Sequence, residues 1–358
     1  MPDFLQTDYL PGRTLLVADK EYLYFSGTSY LGMARNTELQ AYLQEGITRY
    51  GSNYSSTRLS NVHLNIYAEA EDYLAQLTGA EAALTVSSGF LAGQLVIRTL
   101  EPTACFMYGP RTHPALWRQQ TDFYNGSFTT WVHHLPEQIA NSPEENILIL
   151  CNSLDPLWAV KYNFDWLNYL PAAKNITLVI DDSHGFGVTG GAGAGVFSEI
   201  KVPPPVELIV VTSLGKALGI PAGLILGTAK TVANFRRHPF FGSGSPALPA
   251  YLYAFLQSKA IYPEARQKLI TNIQHFQAQL TKPNLFQSFP DYPVFYTPDN
   301  QLCPFLSEQG ILISSFSYPN PDSAAVTRII LSSLHTPDDL TKLATAVNQF
   351  AASERNKL

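Results

Sequence analysis

The sequence predicts an α/β fold: a mostly parallel central sheet in a large domain, with a smaller α+β domain towards the C-terminus. Short apolar runs alternate with helical stretches from Glu81 onward. Ala82 to Val86, Ile147 to Leu150, Ile176 to Ile180 and Glu207 to Val211 are bounded by turn residues, as strands buried on both faces are. After about Pro246 the texture changes to a long helical run followed by further strand-like segments. At 358 residues the chain also exceeds the usual size of one core. The division expected is a segment 1–40 that joins the small domain, a large domain 41–245 and a small domain 246–358.

In chain order, Glu21 to Phe25 reads as a strand. Asn36 or Thr37 caps a helix with an apolar stripe of Leu39, Tyr42, Leu43, Ile47 and Tyr50, which Gly51 ends. A second amphipathic helix runs from Leu64 to Leu77 and stops at Gly79. Between them, 51–61 is a polar loop whose Tyr54, hydroxyls and Arg58 either face a site or form a solvated connection. The helical run Ala250 to Leu280 is expected to break at Pro263. Tyr292 to Tyr296, Ile311 to Ser315 and Thr327 to Leu331 follow as strands. Thr336-Pro337-Asp338-Asp339 caps a last helix to Phe350, beyond which Ser353 to Leu358 is expected to fray.

Charged residues make up 15% of the chain against 46% apolar, with a net charge of -6, so there is no electrostatic footprint for nucleic acid. Cys105, Cys151 and Cys303 have neither paired spacing nor a CxxC, which argues against a disulfide framework or a zinc site. Met1-Pro2-Asp3-Phe4 lacks the basic and apolar stretches of a signal peptide, and no apolar run reaches membrane-spanning length, so the cytoplasm is the expected location and no membrane is a partner.

In parallel α/β sheets ligands gather beyond the carboxyl ends of the strands. Here those ends carry Ser87-Ser88-Gly89-Phe90, Asn152, Asp181 to His184, and Ser213 to Lys216. A lysine in a glycine-hinged turn after an apolar strand is a candidate Schiff-base nucleophile, because burial favours its neutral amine. Asp181 is placed to keep a pyridine nitrogen protonated, and Asp182 suits the lesser task of closing a turn. Ser88, Gly89 and Phe90 open a helix whose free amides suit a phosphate, to which Ser213 adds a hydroxyl. His113 is the candidate to stack on the ring, its alternative being a helix cap, and the Asp-x-x-His spacing lets His184 reach the phenolic oxygen. Arg328, a charge on an apolar strand, suits a substrate carboxylate or else a structural salt bridge. Lysine, aspartate and imidazole together point to pyridoxal phosphate.

At these residues the chain resembles the α-oxoamine synthase group of fold type I pyridoxal phosphate enzymes. The matching pieces are Ser29-Tyr30-Leu31-Gly32, Thr57-Arg58-Leu59, Thr78 to Leu84, Ser87 to Phe90, Asp181 to Val188, Ser213 to Gly219 and Arg328 to Leu331. The resemblance implies Lys216 as the cofactor-bearing lysine, Asp181 at the ring nitrogen, His184 at the phenolic oxygen, His113 stacked, Ser213 on phosphate, and Arg328 on the substrate carboxylate. It also implies a homodimer in which Ser243 or Ser245 completes the partner's phosphate site. Asn152, Ser29 and Tyr54 are further candidates for lining the cofactor and substrate space. The activity implied is decarboxylative condensation of a small amino acid with an acyl-CoA. The alternatives are amino transfer to a keto acid and a non-catalytic cofactor-binding protein. The chain departs from the group where a Ser-Met-Asp-Gly run is usual and Cys151 to Trp158 stands instead. Thr28 and Ser29 replace the asparagine before Tyr-Leu-Gly, and Ala194 replaces an arginine. The N-terminus is short for the leading helix that helps to hold CoA in the group. Gly190 to Gly195 does not read as a dinucleotide loop, because no strand directly precedes it.

Overall fold

The structure, a computed structural model, describes residues 5–101, 104–119, 124–318, 320 and 322–353. The tail expected to fray lies, beyond Ser353, outside the described residues. The chain separates into two compact units, a larger one of residues 36–155 and 161–259, and a smaller one drawn from 1–35, 156–160 and 260–358. The change of texture after Pro246 is therefore not where the smaller unit begins, because the next helix packs inside the larger one.

The larger unit is built on a six-stranded sheet of β3 (Ala82–Val86), β4 (Cys105–Tyr108), β5 (Asn146–Asn152), β8 (Asn175–Asp181), β9 (Glu207–Ser213) and β10 (Gly223–Gly227). Its order is β3-β10-β9-β8-β5-β4. β4, β5, β8 and β9 pair in parallel, and β10 runs antiparallel to both of its neighbours. Between β5 and β8 lie two-residue strands, β6 (Leu154–Asp155) and β7 (Val160–Lys161). Leu84, Leu148, Leu150, Val179, Ile209 and Ile225 form the core against Leu95 and Val96 of α3 (Gly89–Leu100).

α1 (Thr37–Tyr50) starts where expected, since Asn36 Oδ1 accepts the Leu39 N–H at 2.9 Å, and it ends at Gly51 with φ 75°. It packs on α7 (Pro249–Gln257) through Gly46, where a Cβ would lie 2.6 Å from the Ala250 carbonyl oxygen. Only the absence of a side chain lets the two backbones come this close.

α2 (Asn65–Thr78) carries Glu71 into the interior. Arg58 grips this carboxylate with two nitrogens, at 2.5 and 3.2 Å, and Arg236 of α5 (Ala229–Arg237) adds a contact at 2.5 Å. The Thr85 N–H and hydroxyl also donate to it, each at 2.8 Å. Burial by itself would raise the Glu71 pKa, but the Arg58 bonds, both guanidinium charges and the Thr85 N–H outweigh it and hold the carboxyl below its usual range. Of the two readings of the 51–61 loop, its guanidinium follows neither: Arg58 is a half-buried tie between loop, helix and strand.

The smaller unit has a five-stranded sheet ordered β1-β2-β12-β13-β11, from β1 (Thr14–Val17), β2 (Lys20–Phe25), β11 (Val294–Thr297), β12 (Ile311–Ser317) and β13 (Ala325–Ile330). α8 (Ile261–Gln279) and α10 (Pro337–Ser353) pack together beside it, and α9 (Leu302–Glu308) packs on β12. The predicted capping of α10 is reciprocal: Asp339 Oδ2 accepts the Thr336 N–H at 2.8 Å and Thr336 Oγ1 accepts the Asp339 N–H at 3.3 Å. The helical run breaks between Gln257 and Ile261 instead of at Pro263. Pro263 sits in the first turn of α8, where its missing N–H is not needed. The larger unit also holds α4 (Phe128–Asn141) and the short α6 (Pro239–Ser243). Among the described residues no helix is long and apolar enough to cross a membrane.

Candidate active site

The parallel register sets Asn152 of β5 opposite Asp181 of β8, and Asp181 opposite Val211 of β9. The carboxyl ends of three adjacent strands thus bring Asn152, Asp181 and the turn after Ser213 to one edge of the sheet. Asp181 is buried, and its Oδ1 accepts the Ser183 N–H at 2.9 Å. Asp181 Oδ2 lies 3.6 Å from His113 Nδ1.

Asn152 holds the histidine in place. Its Oδ1 accepts the His113 N–H at 3.1 Å and its Nδ2 donates to the Arg111 carbonyl at 2.8 Å. Arg111 Nε is in turn paired with Asp155 Oδ2 at 2.7 Å. His113 also caps the 3-10 turn Pro114–Leu116, its Nδ1 accepting the Ala115 N–H at 3.2 Å. Because Nδ1 is an acceptor, the neutral ring carries its proton on Nε2, and Asp181 faces the ring as a charge, not as a hydrogen-bond partner. Burial pushes the His113 pKa down, the Asp181 charge opposes this and Lys216 reinforces it, with a net lowering that favours the neutral ring. The stacking role and the cap role proposed for His113 are therefore compatible.

Lys216 lies in a tight turn closed by Leu214 N–H to Ala222 O at 2.9 Å and Ile220 N–H to Leu214 O at 3.0 Å. Gly219 takes φ 66°, a conformation that favours glycine. Burial lowers the Lys216 pKa against the opposing charges of Asp181 and Asp182, which makes its amine more available as a nucleophile.

Two glycines let the remaining segments meet. A Cβ on Gly89 would stand 2.7 Å from the Ser213 Cβ, and one on Gly223 would stand 2.0 Å from the Ser88 carbonyl oxygen. Ser88 caps α3 by accepting the Leu91 N–H at 3.1 Å. Ser213 N–H donates to Ser183 Oγ at 2.9 Å, and Ser213 Oγ accepts the Gly215 N–H at 3.2 Å. Phe90 is exposed at the mouth of this helix end. Ser243 and Ser245 are exposed at and after the end of α6, and Thr57 Oγ1 donates to the neighbouring Gly242 carbonyl at 2.7 Å. His184 is half-buried in the turn after β8. Tyr54 donates its hydroxyl to the Val62 carbonyl at 2.5 Å and meets Tyr67 edge-on.

Asp182 takes the structural task. Its Oδ2 accepts the Val196 N–H at 2.8 Å, pinning the end of the glycine-rich loop, and a Cβ on Gly185 or Gly195 would come within 2.1 Å of its carboxyl. Burial raises its pKa to about 7, against the Ser153 hydroxyl and Val196 N–H, with Asp181 and Glu199 adding to the rise. A carboxyl whose folded pKa lies above its unfolded value of about 3.9 stabilises the fold at low pH, and that stability is lost as the pH rises towards 7. Asp182→Asn should flatten the stability profile between pH 4 and 7 by about one proton's worth of slope, as read from urea midpoints across that range.

Arg328 and Ser29 belong to the smaller unit. Arg328 is 5% exposed. It donates from Nη1 to the Pro156 carbonyl at 2.6 Å, and among the described residues no carboxylate pairs with it. The structural salt bridge considered for it is not formed. Ser29 is exposed beside fully buried Tyr30, and its carbonyl accepts the Ser332 hydroxyl at 3.2 Å.

These donors fit pyridoxal phosphate. A lysine whose charged form burial disfavours, a buried carboxylate, an imidazole held by its backbone, and a helix N-terminus with two serines match the aldehyde, the ring nitrogen, the ring face and the phosphate respectively. The family model for aminotransferase class I and II matches residues 20–347, and the chain belongs to that family. It is 27% identical over 359 residues to the 8-amino-7-oxononanoate synthase of Aeromonas salmonicida, covering 97% of this chain and 90% of that protein. With the Serratia proteamaculans enzyme of the same name the identity is 29% over 352 residues, covering 93% and 90%. The fold is shared with the serine palmitoyltransferase of Sphingomonas wittichii, with a TM-score of 0.82 at 16% identity over 99% of this chain and 93% of that one. It is also shared with the 8-amino-7-oxononanoate synthase of Francisella tularensis, with a TM-score of 0.71 at 19% identity over 93% and 99%. The fold class predicted from the sequence is the one found.

Proposed function

We propose that this chain is a pyridoxal phosphate-dependent transferase that condenses a small amino acid with an acyl thioester and releases carbon dioxide, as in the 8-amino-7-oxononanoate synthases it is similar to. The observation that carries this is Lys216, whose charged form burial disfavours, in the field of buried Asp181, with the part-exposed His113 ring 3.6 Å from that carboxylate. When bound, the cofactor supplies an electron sink for the pair released at the amino acid α-carbon.

The chain's own residues do the rest. Lys216 Nζ, its charged form disfavoured by burial, would hold the cofactor aldehyde and carry a proton to or from the substrate α-carbon. Asp181 keeps the ring nitrogen protonated, so its anion must stay ionised and shielded. His113 covers the ring face, Asn152 fixes its orientation, and His184 addresses the phenolic oxygen. Ser88, Gly89, Phe90 and Ser213 cradle the phosphate, with Ser243 or Ser245 of a second copy in a homodimer. Arg328 binds the substrate carboxylate, with Ser29 and Tyr54 as further substrate contacts. The same proposal places the enzyme in the cytoplasm.

The test is free CoA release from glycine, L-alanine or L-serine with a series of acyl thioesters. Release above the no-amino-acid control supports the condensation. No release, with a pyridoxamine spectrum after amino acid alone that a keto acid reverses, replaces it with amino transfer. Silence in both assays with the cofactor still bound points to a protein that binds without turnover.

A further inference from the structure

Residues 156–160 leave the sequence of the larger unit and join the smaller one, where they lie against a single row of side chains. The register pairs Tyr296 of β11 with Arg328 of β13, and Arg328 with Ser314 of β12. Directly opposed residues of antiparallel strands point to the same face, so these three side chains stand side by side. Phe316, two residues beyond Ser314 on β12, shares that face, with its ring centre 5.4 Å from the Arg328 guanidinium. The inserted segment is anchored to this row twice. Pro156 gives its carbonyl to Arg328 Nη1 at 2.6 Å, and the Trp158 ring packs on Tyr296 with centroids 6.2 Å apart.

Three further facts bear on what this arrangement does. Ala159, directly after the tryptophan, takes φ 51°, a left-handed conformation that L side chains disfavour, so the turn that aims Trp158 is held against its local preference. Trp158 is 37% exposed and Phe316 42%, so two large rings stand open to solvent on the face that carries a buried cation. Finally, Arg328 Nε is buried with no hydrogen-bond partner among the described residues. With Nη1 occupied by Pro156, the Nε–Nη2 edge is the one left to receive a planar carboxylate through two parallel bonds.

We propose that Trp158 is a specificity-determining residue: with Phe316 it forms an aromatic rim around the Arg328 carboxylate site, and this rim admits a short carboxylate-bearing substrate and excludes one with a bulky group next to its carboxylate. The Pro156 carbonyl is the positioning group that fixes the guanidinium inside the rim. The inference rests on the proposed role of Arg328 and adds the substrate size limit. A rigid ring limits size because it occupies volume that a larger substituent would need, and its packing on Tyr296 stops it from swinging aside.

The experiment compares Trp158→Ala, Trp158→Leu and Trp158→Phe with the unaltered holoenzyme, and includes Arg328→Lys as a control. Two quantities are read: the calorimetric Kd for glycine, L-alanine and L-phenylalanine, and kcat/KM for whichever of them turn over. Trp158→Ala and Trp158→Leu should cut the preference for glycine over L-phenylalanine by about tenfold or more, mainly by tightening L-phenylalanine, while Trp158→Phe stays within about threefold of the original ratio. Leucine keeps the apolar contact on Tyr296, so it reports on bulk even if alanine fails to fold. An unchanged ratio in the leucine variant overturns the proposal. So does weaker L-phenylalanine binding there, which would mean that the rim attracts bulky groups. If Arg328→Lys leaves all three Kd values unchanged, the carboxylate role itself fails. If Arg328→Lys weakens all three and the Trp158 variants change no ratio, only the size limit fails.

Discussion

Lys216→Ala is expected to lower turnover by at least about a thousandfold while leaving the fold in place. The side chain comes from a turn whose own backbone bonds, Leu214 to Ala222 and Ile220 to Leu214, do not depend on it. Removing a partly desolvated amine should cost little stability, because burial already disfavours its charge. The two effects therefore separate. Steady-state kinetics should collapse, and thermal unfolding should move by no more than a few degrees. Lys216→Arg should be equally inactive, since a guanidinium stays protonated and cannot act as a neutral nucleophile. An alanine variant that retains a tenth of the original rate would show that another amine does the chemistry.

Asp181→Asn should lower kcat by about a hundredfold to a thousandfold, the usual size for removing one preorganised charge from a buried site. Asparagine can still accept the Ser183 N–H, so the turn after β8 should persist. What is lost is the negative charge that would keep the ring nitrogen protonated. The substitution also removes the charge that raises both the Lys216 and His113 pKa values, so both should fall further. The His113 shift can be followed by NMR titration of its ring protons. A near-normal kcat in Asp181→Asn, with the His113 titration unchanged, would place the carboxylate outside the reacting site.

The strand ends were legible in the sequence because each is an apolar run closed by small polar residues. The parallel register then followed from runs buried on both faces, and with it the meeting of Asn152, Asp181 and Ser213. β10 was not legible. Gly223–Gly227 opens and closes with glycine and reads as a continuation of the Lys216 turn, yet every residue of it is buried between β3 and β9. β1 and β4 escaped because each is only four residues long, too short to carry a clear period.

The side chains divide along similar lines. Asp182 was expected to close a turn, and the loop it pins at Val196 was visible only as a run of glycines. Arg58 was open between a site and solvent because its partner Glu71 is thirteen residues away on a helix face that pattern alone did not mark as buried beneath a charge. Asn152 was read as a cofactor contact, and its grip on the His113 backbone across 39 residues has no signature in sequence spacing. The excursion of 156–160 into the smaller unit was equally invisible, because sequence order gives no sign of a five-residue detour between units.

The central claim is a covalent link between Lys216 and a vitamin B6 aldehyde. Its most direct test is to supply the purified protein with pyridoxal phosphate, reduce with borohydride, digest and map the peptides by mass spectrometry. A single pyridoxyl adduct on the peptide containing Lys216 is the predicted result. No adduct, or one carried by a different lysine with Lys216 unmodified, would contradict the account.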